Sequence, residues 1–218
     1  MFSGFPKDAL GFFHELSVEQ NKDWFLANKA RYDAQWVAPM QALLDEVAAK
    51  APLKVGAPKI MRIYRDTRFA KDKTPYKTHI AGRIPTAKGH TFLYAHFGID
   101  EEWLGGGVYF FEPKQLAVWR KTIHGRGGEA IDKLVQKLRK QGFETGGHDD
   151  YVRMPKPYKD DHPRAYLLKM KGLTSGYGEV PRGLVHKPGL VKWIVDQGKA
   201  NAPLFRWLDE HIPRASEG

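Results

Sequence analysis

The chain has 218 residues, 42% hydrophobic and 28% charged, with a formal charge of +10. Its 12 Phe, 9 Tyr and 6 Trp exclude a disordered chain, and folding at this length buries roughly 70% of the unfolded surface. The absence of cysteine excludes disulfide frameworks, thiolate zinc sites and cysteine nucleophiles.

The start, Met1 to Asp8, lacks the basic and apolar regions of a secretory signal, and no window reaches the roughly 20 apolar residues of a membrane span. A soluble cytoplasmic protein with no membrane partner is the expectation. No repeat or linker divides the sequence. A single domain is expected over residues 1–213, followed by a frayed tail at 214–218.

In chain order, Pro6 fits the first position of a helix running to about Leu16, with Leu10, Phe13 and Leu16 inward. Asn21 is placed to cap a second helix, with Asp23 in its first turn. That helix sets Trp24, Asn28, Tyr32 and Trp36 on one stripe, a spacing that suits core packing. Pro39 should kink or restart it, and Leu43, Leu44 and Val47 carry the apolar face to about Lys50.

From Pro58 the period changes to two. Lys59–Phe69 reads as a strand ending in a turn around Lys71–Pro75. His79–Ile84, Thr91–Ile99 and Trp103–Phe111 read as further strands, rich in β-branched and aromatic residues. Gly105-Gly106-Gly107 inside the last of these predicts a bulge or a close backbone approach. Pro113 opens a helix bearing Leu116, Trp119 and Ile123. Another, with Ile131, Leu134, Val135 and Leu138, closes at Gly142. His186–Ile212 reads as one or two helices broken near Pro203. The fold class is therefore α+β, an antiparallel sheet flanked by N-terminal and C-terminal helices.

The charge is uneven. Residues 54–88 carry 10 basic groups against Asp66 and Asp72 alone. Within them lies Arg62-Ile63-Tyr64-Arg65-Asp66-Thr67-Arg68-Phe69-Ala70-Lys71-Asp72-Lys73-Thr74-Pro75-Tyr76-Lys77-Thr78-His79. On a strand, Arg62, Tyr64, Asp66 and Arg68 share one face, and Arg65 falls among the apolar residues of the other. A guanidinium there needs a carboxylate, carbonyls or a bound anion.

The pattern Arg-x-x-Arg-Asp-x-Arg-Phe, then Asp-Lys-x-x-Tyr, resembles the signature of a bacterial family, domain-of-unknown-function family 2461. The matching positions are Arg62, Arg65, Asp66, Arg68, Phe69, Asp72, Lys73 and Tyr76. Gly4-Phe5-Pro6, Asn21 to Phe25, Gly105 to Gly107 with Tyr109, and Asp161-His162-Pro163 extend the likeness over nearly the whole chain. Ala70 stands where Ser is frequent in the pattern, and Pro157 where Gly is frequent. The resemblance implies no reaction, so the chemistry has to be argued from the residues.

Arg62, Arg65, Arg68 and Lys73 suit the oxygens of a small phosphate- or carboxylate-bearing ligand, with Asp66 and Asp72 as organisers. Tyr76 adds a hydroxyl and His79 a titratable imidazole. Three other readings use the same or neighbouring residues. The cluster can be an ion-pair lock on a strand–turn–strand corner. Its basic face with Tyr64, Phe69 and Tyr76 can bind nucleic acid. Asp160-Asp161-His162, with Glu112, Asp149 and Asp150, can serve a metal-dependent hydrolase or nuclease, although a helix start fits them better. No catalytic residue, metal ligand set or cofactor motif emerges; the sequence lacks Gly-x-Ser-x-Gly, a phosphate loop and a dinucleotide fingerprint. Gly125-Arg126-Gly127-Gly128 reads as a helix connection, and His148 and His162 as isolated loop residues.

Overall fold

Apolar residues at helical spacing make the first quarter of the chain helical. The computed structural model describes residues 1–68 and 71–214. Phe69, Ala70 and the expected tail beyond Arg214 lie outside the described residues. Helix α1 spans Ala9–Val18, α2 Lys22–Tyr32 and α3 Ala38–Ala49. The first begins later than Pro6 implied, and it buries Phe12, Phe13 and Leu16 while Leu10 is only partly covered. Asn21 caps α2 as expected, its Oδ1 accepting from the Trp24 N–H at 2.8 Å.

Between α2 and α3 the chain makes a π-helical turn over Asp33–Val37. Pro39 explains it. In a regular α-helix its ring would meet the carbonyl of Gln35, and the wider turn relieves that contact. Trp36 in this turn donates its indole N–H to the Ala9 carbonyl at 3.0 Å, which ties α1 to the α2–α3 arm.

Six antiparallel strands follow: β1 Lys59–Ile60, β2 His79–Pro85, β3 Phe92–Gly98, β4 Glu102–Val108, β5 Glu144–Gly146 and β6 Leu173–Gly176. They lie in the order β1-β2-β3-β4-β6-β5. The remaining helices are α4 Pro113–His124, α5 Gly128–Lys140, α6 Ala165–Leu168 and α7 Gly189–His211, with a 3-10 turn at Leu184–His186. This is the α+β arrangement anticipated. The described residues contain no helix long and apolar enough to cross a membrane.

Helix α7 runs unbroken through Pro203, where a break was expected. Its buried Ala202, Leu204, Phe205, Trp207 and Leu208 lie on both sides of the proline. Their packing outweighs the roughly 3 kcal/mol that an interior proline costs. The expected strand from Lys59 to Phe69 is also different. Its ladder stops at Ile60, and the chain then runs as an arch against residues 75–77. The Arg65 N–H donates to the Pro75 carbonyl at 2.8 Å, the Lys77 N–H to the Ile63 carbonyl at 2.9 Å, and Tyr64 bridges to Tyr76. Pro75 has no N–H to return, so the pairing cannot propagate toward the tip.

Helices α3 and α7 pack on the sheet, and α5 packs on α7. The side chains facing them (Ile80, Ile84, Ala95, Phe97, Leu104, Val108 and Leu173) are all buried. They join a single apolar cluster reaching from Phe2 to Ile212. The alternate residues of the same strands point to the other face, where no helix packs among the described residues.

Candidate functional site

Where the strand-pairing was lost, the expected alternation survived. Arg62, Tyr64, Asp66 and Arg68 are exposed, whereas Met61, Ile63, Arg65 and Thr67 are partly or fully covered. The two faces of the segment are therefore those the sequence implied, on an arch instead of a strand.

Most of the arch is satisfied internally. Asp66 accepts from the Arg68 N–H at 3.2 Å and from Arg68 Nε and Nη2 at 3.1 and 2.8 Å. Lys73 Nζ donates to the Thr67 carbonyl at 2.8 Å, and Lys77 Nζ to the Arg62 carbonyl at 3.1 Å. Asp72 accepts from the Thr74 N–H and hydroxyl at 2.9 and 2.8 Å, and it lies 3.3 Å from Arg65 Nη2. Those bonds hold the Asp66 and Asp72 carboxyls below the usual carboxylate range. Tyr76 is buried: its ring stacks on Phe25 at 4.5 Å, and the Gln20 side-chain amide bonds both its N–H and its carbonyl. Burial, then Tyr64 and Asp23, raises the pKa of its hydroxyl.

Two features of the arch mark a local excess of positive charge. Arg65 Nε is buried with no hydrogen-bond partner. Beside it, Lys77 is held below the usual ammonium range by burial and then by the Arg62 and Arg65 guanidinium groups. Among the described residues, the segment's ion pairs are Arg65–Asp72 and Arg68–Asp66. Lys59 and Arg83 therefore have no carboxylate partner, and the charge surplus stays in place.

The arch meets the open face of the sheet through His79, whose ring lies 3.9 Å from that of His96 on β3. Burial, then His96, Lys77 and Arg65, lowers the His79 pKa to about 4, so the ring is neutral near pH 7. His96 is likewise lowered by burial, partly offset by Glu101 and Asp100. From His96 the open face forms a groove of about 590 Å³, bounded by Met61, Arg83, Tyr94, Trp103, Tyr109 and His148 among others.

Strand register explains how the groove is assembled. Lys59, Arg83, Tyr94, Gly105 and Gly176 stand opposite one another on β1, β2, β3, β4 and β6, in one row across the sheet. Trp103, two positions before Gly105 on the same face, leans along β4. A Cβ on Gly105 would stand 2.5 Å from Trp103 Cη2 and 2.5 Å from the Ser175 carbonyl oxygen. The glycine gives the close approach that the sequence implied, and β4 pairs through it without a bulge. The indole edge that runs from Nε1 to Cη2 thus lies against Gly105 and Gly176, with the Tyr94 ring at 5.9 Å. At the far end Tyr109 stacks on His148 at 4.2 Å, and His148 Nε2 meets the Thr174 hydroxyl at 3.4 Å. Burial, then Glu101 and Tyr109, raises the Tyr94 pKa, so its hydroxyl stays protonated.

Arg83, Tyr94, His96 and Trp103 are the groove residues that reasoning from the sequence missed. The available signal was the strict alternation of β3, where Phe92, Tyr94 and His96 fall opposite Leu93, Ala95 and Phe97. An aromatic set on the second face of a strand marks a face that is neither core nor fully solvated.

The other sequence candidates lie elsewhere. Asp160 pairs with Lys169 at 2.9 Å, Asp149 with Lys171 at 2.8 Å, and Glu112 caps α4. Among the described residues, no three His, Asp or Glu side chains converge to hold a metal ion. His162 stacks on His124 at 5.1 Å. The Arg164 guanidinium occupies the Gly125 turn, donating to the Ile123 and Gly125 carbonyls at 2.8 and 3.1 Å, so that turn is a capped helix end.

No curated protein and no solved structure matches the chain. Residues 8–207 match the family described as conserved hypothetical protein (DUF2461), which covers most of the chain, and the protein belongs to that family.

Proposed function

We propose that the protein binds a small anionic ligand in the groove on the open face of the sheet. One observation carries this reading: an aromatic groove of about 590 Å³ is bordered by Arg83, a cation without a carboxylate partner among the described residues. That volume lies within the roughly 300–1,000 Å³ of small-molecule sites, which combine apolar walls with a few polar groups. The unpartnered Arg65 Nε and the repelled Lys77, next to His79, support the same sign of ligand at one end. The site is thus centred on the sheet, with the signature segment as its cationic border. Asp66, Arg68, Asp72 and Lys73 at the arch tip are better accounted for as a structural lock, because they bond to one another and to the arch backbone.

The test is a thermal-shift series with phosphate- and carboxylate-bearing small molecules at low and high salt. A ligand at a hundred times its Kd stabilises by about 2.7 kcal/mol, or about 5–10 °C in a chain of this size. The expected shift persists at high salt and disappears in Arg83→Ala. Shifts that Arg83→Ala leaves intact, or none with any anion, would defeat the reading.

A further inference from the structure

The row of residues across the sheet also constrains what the anion is attached to. Trp103 is half-buried and lines the groove, with one edge of its indole against the glycines. Arg83 stands in the same row on β2, beyond Tyr94 of β3. Two strand spacings separate Gly105 from Arg83, roughly 10 Å. A ligand whose ring contacts Trp103 meets the Arg83 end of the row only if it reaches along those spacings. A ring joined to an acidic group through a spacer can do so.

We propose that the groove is a mononucleotide site, with the base stacked on Trp103, the ribose crossing Tyr94 and the phosphate at Arg83. This assignment rests on the anion reading above and adds the base and the sugar to it. Three observations favour it over other ring-bearing anions. The walls are aromatic, with Trp103 and the stacked Tyr109–His148 pair among them, which suits a planar heterocycle. Glu101 borders the groove and lies close enough to Tyr94 to act on its hydroxyl. A carboxylate beside the spacer position can accept from ribose hydroxyls. Lys59 continues the row past Arg83 and places a second cation on the phosphate side.

Isothermal titration of the wild-type chain with AMP, GMP, CMP and UMP, ribose 5-phosphate, adenosine and a six-nucleotide single strand separates the parts. At least one mononucleotide should bind about five- to a hundredfold more tightly than ribose 5-phosphate, the gain expected from one stacked base. Trp103→Ala should remove that gain and leave ribose 5-phosphate binding unchanged. Trp103→Phe should recover part of it, and this milder variant guards against a fold defect in the first. Arg83→Ala should weaken both phosphates and spare adenosine. If ribose 5-phosphate binds as well as every nucleotide, and Trp103→Ala changes nothing, the base assignment fails while the anion reading stands. Loss of all binding to phosphates would remove both. A strand that binds more than tenfold tighter than any mononucleotide would overturn the single-nucleotide occupant.

Discussion

The two faces of the β-sheet are made from the same strands and differ in almost every physical respect. Toward α3 and α7 the strands present Ile80, Ile84, Ala95, Phe97 and Leu104, all buried. Away from them they present Arg83, Tyr94, His96 and Trp103, none of which is fully buried. Burial on the first face contributes about 25 cal/mol per Å² of apolar surface removed from water. The second face leaves large aromatic surface partly wet beside unpaired cations, which stability alone does not reward. A fold selected only for stability would have covered it or made it polar. The contrast locates the packed core on one side of the sheet and the groove on the other.

The largest effect should come from the helix-backed side. Trp119 of α4 is fully buried and donates to the Leu167 carbonyl at 2.8 Å. Trp119→Ala should cost about 3–5 kcal/mol in denaturant unfolding. A loss under 1 kcal/mol would mean that this side is less tightly packed than its burial implies.

Next is the glycine against the Trp103 edge. Gly105→Ala places a methyl group against the Trp103 ring and the Ser175 carbonyl, and such overpacking costs about 1–3 kcal/mol. Tryptophan emission should shift with it, since the indole must move. An unchanged spectrum would show that the ring does not rest against Gly105.

The third is a pH dependence from the junction between arch and groove. The His79 pKa lies near 4 in the folded protein, against 6.5 for the free side chain. The unfolded chain therefore binds more protons between these values, and stability rises with pH there. Stability is complete above pH 6.5, falls as the pH drops toward 4, and levels off below that. Melting temperatures across this range should fall less steeply in His79→Gln. An identical slope in both proteins would remove His79 from the account.

The smallest effect is expected at the arch tip. Arg62 and Lys73 are exposed, so the double substitution Arg62→Ala and Lys73→Ala should change stability by about 0.5 kcal/mol or less. A loss of several kcal/mol would show that the tip locks the fold more firmly than its exposed hydrogen bonds imply.

Much of this was legible in the residues. The Asn21 cap, the Pro113 helix start and the three central strands follow from local chemistry: a side chain that accepts from the first turn, a ring with a fixed φ, and alternation along an extended chain. Arg65 was also legible, because a guanidinium in register with apolar neighbours needs a partner, and Asp72 supplies only part of it. The extent of the Lys59 strand was not, since its ladder depends on what stands opposite: β2 pairs with it only as far as Ile60, and beyond that the chain pairs with residues 75–77. Nor was the continuity of α7 through Pro203, which packing on both sides of the proline maintains.

By itself, the sequence determined which residues alternate, where the helices begin, and that ten basic groups face two acids between residues 54 and 88. Those are properties of neighbours along the chain. Only the tertiary structure decided that Arg83, Tyr94 and Gly105 stand in one row, with an edge of Trp103 against its glycine end. Strand register is set by hydrogen bonds between segments distant in sequence. A shift of one residue would turn every one of these side chains to the other face.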